Sequence, residues 1–188
     1  MIKPVQSPVV ISHLLGGIGN QMFQYAAGRS LSLTHGQQLL LDLGDFASYS
    51  LHNGFELERV FALNAAIAEQ SQVSQLLKWR VQPFIKKILR RRWFSVFRGR
   101  EFIVEPHFHY WDDFQNLDGS RYLYGYWQSE RYFQAHANTI RKDFEFRKPL
   151  SGLNQQLAEE IAALNAISLH VRRGDYVSEK KNADVMAA

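Results

Sequence analysis

Hydrophobic and polar positions follow two rhythms along this chain, and the switches between them mark its elements. Residues 8–15 (PVVISHLL) are aliphatic and β-branched and run into Gly16, Gly17 and Gly19, the pattern of a buried strand feeding a tight turn. The period then changes: between 21 and 35, Phe23, Ala26, Ala27 and Leu31 recur at helical spacing and share one face, and Gly36 stops the helix. Residues 38–43 (QLLLDL) give a short, continuous apolar run. Strand, helix and strand together predict a βαβ unit with parallel strands and a right-handed crossover.

The middle of the chain is less regular. After FELERVF (55–61) the pattern predicts a helix over 65–79, then strands over 101–105 (EFIVE) and 121–127 (RYLYGYW), with Asp118 and Gly119 as turn residues between them. Ser129 reads as the N-cap of an amphipathic helix over 129–144, carrying Phe133, Ile140 and Phe144, and Pro149 closes that unit. A second helix over 151–164, capped by Ser151, places Leu153, Leu157, Ile161 and Leu164 on one face. Residues 166–171 (AISLHV) then read as a strand running into Arg172, Arg173, Gly174 and Asp175. The division is into residues 1–150 and 151–188, an α/β chain throughout.

Composition narrows the classes. With 46% hydrophobic and 21% charged residues in 188, the chain is globular, and disorder or fibrous structure is excluded. The absence of cysteine removes disulfides, thiolate zinc sites, iron–sulfur clusters and a cysteine nucleophile together, and fits a reducing cytoplasm. Pro4, Pro8 and His13 interrupt the first apolar run, so it reads as a strand and not as a signal peptide. No stretch approaches the roughly 18 apolar residues of a membrane span. The net charge is +4, but residues 86–100 hold Lys86, Lys87, Arg90, Arg91, Arg92, Arg98 and Arg100 with no acid, so the rest of the chain is net acidic. Basicity is local, and no nucleic-acid partner is implied.

Four stretches carry candidate chemistry. In the first, GGIGNQMFQYAAGRSL (16–31), the turn glycines expose backbone N–H groups at the positive end of a helix, where anions sit. As a dinucleotide fingerprint it has Gly17 and Gly19 but Met22 at the third position, with Asp42 ending the next strand as the ribose carboxylate. A turn with glycines for geometry only is the competing reading. Asn20 and Gln21 add amides suited to a polyhydroxyl or phosphate ligand. The second, HVRRGDY (170–176), sets paired arginines at the carboxyl end of a strand, where open α/β sheets bind ligands; an Arg–Asp network fixing a loop is the alternative, and His170 alone reads as a core histidine. In the third, GYWQSERYF (125–133), Gln128, Ser129 and Glu130 can reach a sugar, and capping explains Ser129 equally well. The fourth is the basic segment, whose apolar residues from Phe84 to Phe97 recur every three to four positions. It reads as one cationic amphipathic helix, either packed with a solvated basic face or lying on an anionic membrane with Trp93 at headgroup depth. Asp112 and Asp113 read as solvated turn acids and not as a metal pair.

Taken in order, GGIGNQMFQYAAGRSL, EPHFHYWDDF, GYWQSERYF and HVRRGDY closely resemble the bacterial α-1,2-fucosyltransferases of glycosyltransferase family eleven, over residues 11–177. The resemblance implies a GT-B-like fold of two Rossmann-like halves, with the first half complete and the nucleotide-binding half only begun by residue 188. It implies inverting transfer of L-fucose from GDP-β-L-fucose to the 2-hydroxyl of a galactoside, with no metal or other cofactor. Carried over residue by residue, Arg172 grips the GDP pyrophosphate and is the catalytic candidate, supported by Arg173. Asp175, His170, Asn20, Gly17 and Gly19 join the donor set, and Gln21, Gln128 and Glu130 the acceptor set. A guanidinium aimed at the β-phosphate stabilises the charge that grows there as the glycosidic bond breaks.

After HVRRGDYVS the family pattern continues through guanine-reading residues, whereas this chain ends in EKKNADVMAA; the expectation is a truncated, catalytically silent fragment. The expected setting is the cytoplasm or the cytoplasmic face of a membrane, meeting a galactose-containing and lipid-linked glycan. Two other classes compete. A dinucleotide-dependent oxidoreductase would use Gly17, Gly19 and Asp42, and a non-enzymatic membrane-surface module would use residues 86–100.

Overall fold

The computed structural model describes residues 7–48 and 54–169, so His170, Arg172, Arg173 and Asp175 lie outside the described residues. The chain divides into two compact units, Met1–Lys148 and Pro149–Ala188. The first is built on a four-stranded parallel sheet in the order β2-β1-β4-β3. β1 (Val9–His13) runs through the turn glycines into α1 (Ile18–Thr34), and the chain returns as β2 (Gln38–Asp42), in register from Val9 opposite Gln38 to His13 opposite Asp42. The expected βαβ unit is therefore present. Helix and sheet meet closely at Gly28, where a Cβ would lie 2.9 Å from the Ser12 Cβ, so this glycine lets α1 settle on β1.

A 3-10 turn (Gly44–Ser48) and α2 (Leu57–Val60) lead to α3 (Gln70–Leu77). α3 is shorter than the helix expected over 65–79. Its start is fixed by a capping box between Glu69 and Gln72, while Ala66 and Ala68 are drawn into backbone bonds with Leu41 at the sheet edge. α4 (Pro83–Leu89) begins at a proline and ends before Arg90, and a 3-10 turn follows over Arg92–Phe97. The single amphipathic helix expected over the basic segment is thus two short pieces. The Arg98 guanidinium explains the break: it folds back to donate to the carbonyls of Leu89, Arg90 and Arg91, closing the segment on itself.

β3 (Phe102–Val104) and β4 (Arg121–Tyr124) are joined through a 3-10 turn at Asp112–Asn116. β4 lies beside β1, Ile11 opposite Tyr122. The helix expected over 129–144 is instead two 3-10 turns (Glu130–Tyr132 and Gln134–His136) followed by α5 (Ala137–Asp143), and Ser129 makes no capping bond through its side chain. In the second unit, α6 (Leu153–Ala163) starts after Gly152, whose left-handed backbone takes the capping position expected of Ser151. Leu153, Leu157 and Ile161 share the helix as read, Leu164 stands just past its end in extended backbone, and all four are exposed; residues 166–169 join no ladder, so the described part of the expected strand over 166–171 is not one.

Alternation along the strands sorts the first unit into two packed layers. Val10 and Leu123 face α1 and join Ala27, Leu31, Phe114, Trp127 and Tyr132. Ile11, Leu40 and Tyr122 face the opposite way, against Val73 and Leu77 of α3 and Leu89 of α4. The same period of two carries the next residues outward, so Ser12 joins the α1 side while His13, Asp42 and Tyr124 emerge on the α4 side at the carboxyl edge of the sheet.

Candidate functional site

The turn after β1 is built by two glutamines. Gln21 is fully buried: its amide nitrogen donates to the carbonyls of Gly16 and Gly54 at 2.9 Å each, and its oxygen accepts the Glu56 N–H at 2.9 Å. Three of its four hydrogen-bonding sites are therefore used inside the protein. Gln24, equally buried, accepts the Leu15 N–H (3.0 Å) and donates to the Gly125 carbonyl (3.1 Å), tying the end of β1 to the end of β4. Gly16 has φ +81°, and a Cβ there would sit 2.7 Å from the Asn20 side-chain nitrogen. Only glycine holds this turn without strain.

Asn20 is the amide that faces outward. Its side-chain oxygen accepts from the Gln128 amide at 2.7 Å, a bond across 108 positions of sequence that joins two of the residues singled out above. Gln128 reaches this place because Trp127 adopts a left-handed backbone (φ 55°) directly after β4, with its ring fully buried. Such strain in a non-glycine residue costs about 1–3 kcal/mol. It is held by Glu105, whose carboxylate accepts the backbone N–H groups of Tyr126 (2.7 Å) and Trp127 (3.1 Å). Beside this pair opens a largely apolar cavity of about 550 Å³, with Gly19, Met22, Phe23, Glu130, Phe133 and Arg141 among its lining. Open space surrounds the position a Cβ would take on Gly19, so this glycine leaves room instead of easing a contact. Gly17, with φ −74°, is ordinary extended backbone at the helix start. Gly19 and Glu130 line this cavity and stand one and two positions in sequence from the bonded Asn20 and Gln128, while Gln21 is turned inward and shapes the turn.

A second constellation, not anticipated from the sequence, lies on the α4 side of the same sheet edge. His13 Nδ1 is 3.0 Å from the Tyr122 hydroxyl oxygen and Nε2 is 3.1 Å from an Asp45 carboxylate oxygen. The Tyr122 hydroxyl donates to Asp42 at 2.5 Å, and Lys86 of α4 donates to Tyr122 (2.9 Å) and Asp42 (3.4 Å). Tyr124 stacks on the His13 ring with centroids 4.8 Å apart. Burial pulls the His13 pKa down, but hydrogen bonds to Asp42 and Asp45 and the charges of both outweigh it, so the imidazole titrates above its ordinary value. Burial likewise works against the Asp42 carboxylate, and the donors His13 and Tyr122 together with the Lys86 charge hold it well below the usual range. Tyr122, buried beside Asp42, is pushed well above 10. The network thus favours the charged imidazole and the two carboxylates and disfavours ionisation of the phenol.

This network disposes of the dinucleotide reading. Asp42, which was to bind a ribose, is buried, and its second oxygen accepts the Gly44 N–H at 2.9 Å. The basic segment also changes character, since Lys86 and Arg98 are turned to internal partners, while Phe84, Trp93, Val96 and Phe97 stand exposed among the remaining cations. Among the described residues, no group of three histidine or acidic side chains is placed to hold a metal ion, and no helix is long and apolar enough to cross a membrane.

Comparison with known proteins supplies a second line. The profile of glycosyl transferase family 11 matches residues 74–188. The chain is 31% identical over 173 residues to an Escherichia coli alpha-1,2-colitosyltransferase, covering 90% of this chain and 56% of that protein. It is 28% identical over 186 residues to the Escherichia coli O-antigen biosynthesis glycosyltransferase WbnK, covering 89% of this chain and 59% of the relative. The chain therefore spans less than two thirds of the length of either relative. No solved structure matches it.

Proposed function

The chain belongs to glycosyl transferase family 11, and from that premise we propose that it serves the inverting transfer of L-fucose from GDP-β-L-fucose to the 2-hydroxyl of a galactoside. The relative named for an alpha-1,2 linkage supports the 2-hydroxyl as the acceptor atom, and the relative named for O-antigen biosynthesis supports a cell-surface glycan as the acceptor. The observation that carries the reading within this chain is the Asn20–Gln128 pair, adjoining in sequence Gly19 and Glu130, which line the apolar cavity. Paired amides offer a sugar both donors and acceptors, Glu130 adds a further acceptor, and the apolar wall suits the C–H face of a pyranose ring.

In the proposed reaction the galactose 2-hydroxyl attacks the fucose anomeric carbon on the face opposite the nucleotide and gives up its proton to solvent. The bond to the β-phosphate oxygen breaks, and negative charge grows on the departing GDP. Arg172, backed by Arg173, meets that charge, with His170, Asp175 and Gly17 in the donor set. Asn20 and Gly19, read with the donor set from the sequence, join Gln128 and Glu130 on the acceptor side because the Asn20 amide bonds to Gln128, and Gln21 leaves that side because its amide is spent on the turn. A fixed guanidinium contributes selectively to the transition state because the leaving-group charge is larger there than in bound GDP-fucose.

Saturation-transfer NMR on the 188-residue chain with a methyl β-galactoside tests the mouth directly. Saturation should reach the galactoside ring protons and be lost in Asn20→Ala and in Gln128→Ala, with the fold retained. Equal saturation in both variants would place the sugar elsewhere and overturn the reading.

A further inference from the structure

The carboxyl edge of the sheet holds a second concavity that the transfer reaction does not use. Its two adjoining hollows, about 360 and 410 Å³, share Lys87, Arg90 and Tyr124, and Arg91 and Tyr126 complete the far side. The Arg90 guanidinium lies over the Tyr124 ring, 4.8 Å from its centroid, and among the described residues its side chain makes no hydrogen bond. Among the described residues, the side chains of Lys87 and Arg91 have neither an ion pair nor a hydrogen bond. The acids nearby are committed: Asp45 is paired with His13, Asp42 with Tyr122 and Lys86, and Glu105 with the backbone N–H groups of Tyr126 and Trp127. The concavity therefore presents three cations with unused donors beside two tyrosine rings, while the local carboxylates already have partners.

We propose that this crevice binds a sugar diphosphate carried by the acceptor, its phosphates on Lys87, Arg90 and Arg91 and its sugar against Tyr124 and Tyr126. Three cations suit the two or three charges of a diphosphate better than the single charge of a carboxylate, and guanidinium groups match phosphate oxygens in bidentate geometry. An aromatic shelf beside them suits the C–H face of a hexose. The acceptor is assigned as the source because Tyr126 of this shelf stands two residues before Gln128 of the proposed acceptor set, next to the backbone N–H groups that Glu105 holds. This assignment of source rests on the mouth being the acceptor site; the binding of a diphosphate does not.

Quenching of intrinsic fluorescence in the 188-residue chain, titrated with inorganic pyrophosphate, GDP and an alkyl galactosyl diphosphate, tests the proposal without requiring any transfer. Pyrophosphate should bind with an affinity that falls as salt rises, and the alkyl galactosyl diphosphate should bind more tightly than GDP. Lys87→Ala, Arg90→Ala and Arg91→Ala should each weaken pyrophosphate about tenfold, the loss of one charge-assisted contact. Arg90→Lys, which keeps the charge and shows that the site still folds, should weaken it less than Arg90→Ala. The titrations are run in Arg172→Ala, which removes the arginine proposed to hold the donor pyrophosphate; adding Asn20→Ala, which removes galactoside binding, should leave the remaining pyrophosphate affinity unchanged. In that background, unchanged affinity in the three alanine variants, no pyrophosphate binding at all, tighter binding of GDP than of the alkyl galactosyl diphosphate, or adhesion to phosphatidylglycerol vesicles with no pyrophosphate binding would each overturn the proposal.

Discussion

Replacing Asp42 with asparagine removes one charge from the buried network at the sheet edge and leaves its shape. Asp42 accepts from Tyr122 and from the Gly44 N–H and sits opposite both Lys86 and His13, with its side chain only 7% exposed. Asparagine can still accept one or two of those bonds, but Lys86 is left 18% exposed without its carboxylate. Breaking a buried pair by removing one partner costs about 3–5 kcal/mol, and the partial exposure of Lys86 points to the lower end. With a urea dependence of about 2 kcal/mol per molar, the unfolding midpoint should fall by about 1.5 M.

The pH dependence should change with it. In the native chain the His13 pKa is raised, so its contribution is complete below the unfolded value near 6.5 and is lost as pH rises through the folded value. Asp42 is depressed, so its contribution is present above the ordinary carboxylate value and is lost as pH falls through the folded one. Stability should accordingly be greatest between about pH 4 and 6.5 and decline above it. In Asp42→Asn, burial acts on His13 with one carboxylate fewer against it, its pKa drops, and the decline above pH 6.5 should flatten or reverse. Urea titrations followed by tryptophan fluorescence at pH 5, 6, 7 and 8 measure both effects. A variant within about 0.5 kcal/mol of the native chain at pH 6, with the same pH slope, would refute the reasoning.

Gly16→Ala forces a side chain into a left-handed turn and against Asn20, and should cost about 1–3 kcal/mol in urea unfolding while weakening galactoside binding. Gln24→Ala leaves the Leu15 N–H and the Gly125 carbonyl without their buried partner, so a loss of about 2–3 kcal/mol is expected in the same assay. Arg172→Ala should lower transfer from GDP-fucose about 100-fold, read as product formed under single-turnover conditions from the chain continued by the C-terminal portion of its colitosyltransferase relative.

The first βαβ unit was legible because its signals are local: a β-branched run, a glycine turn, a helical period and a second run. The site was legible only in part. Asn20 and Gln21 look alike in sequence, but a helix turns about 100° per residue, so one amide faces the mouth while its neighbour faces Gly54 and Glu56. His13, Asp42 and Tyr122 stand 29 and 80 positions apart in succession, and only the strand register places them side by side. The one available signal was polar residues ending otherwise apolar strands. The basic segment misled because its apolar period is helical, whereas the bonds from Arg98 to three carbonyls close the chain on itself just beyond α4. At 151–152 a serine is the better side-chain cap by composition, yet Gly152 takes the position through a left-handed backbone that serine adopts at a cost.

The central claim is that the Asn20–Gln128 mouth holds a galactoside for transfer at its 2-hydroxyl. It is tested most directly by the linkage of the product formed from GDP-fucose and lactose by the extended chain, read from two-dimensional NMR. Fucose joined α-1,2 to galactose is expected, with product formation falling at least tenfold in Asn20→Ala. Linkage to any other hydroxyl, or undiminished product from the Asn20 variant, would contradict it.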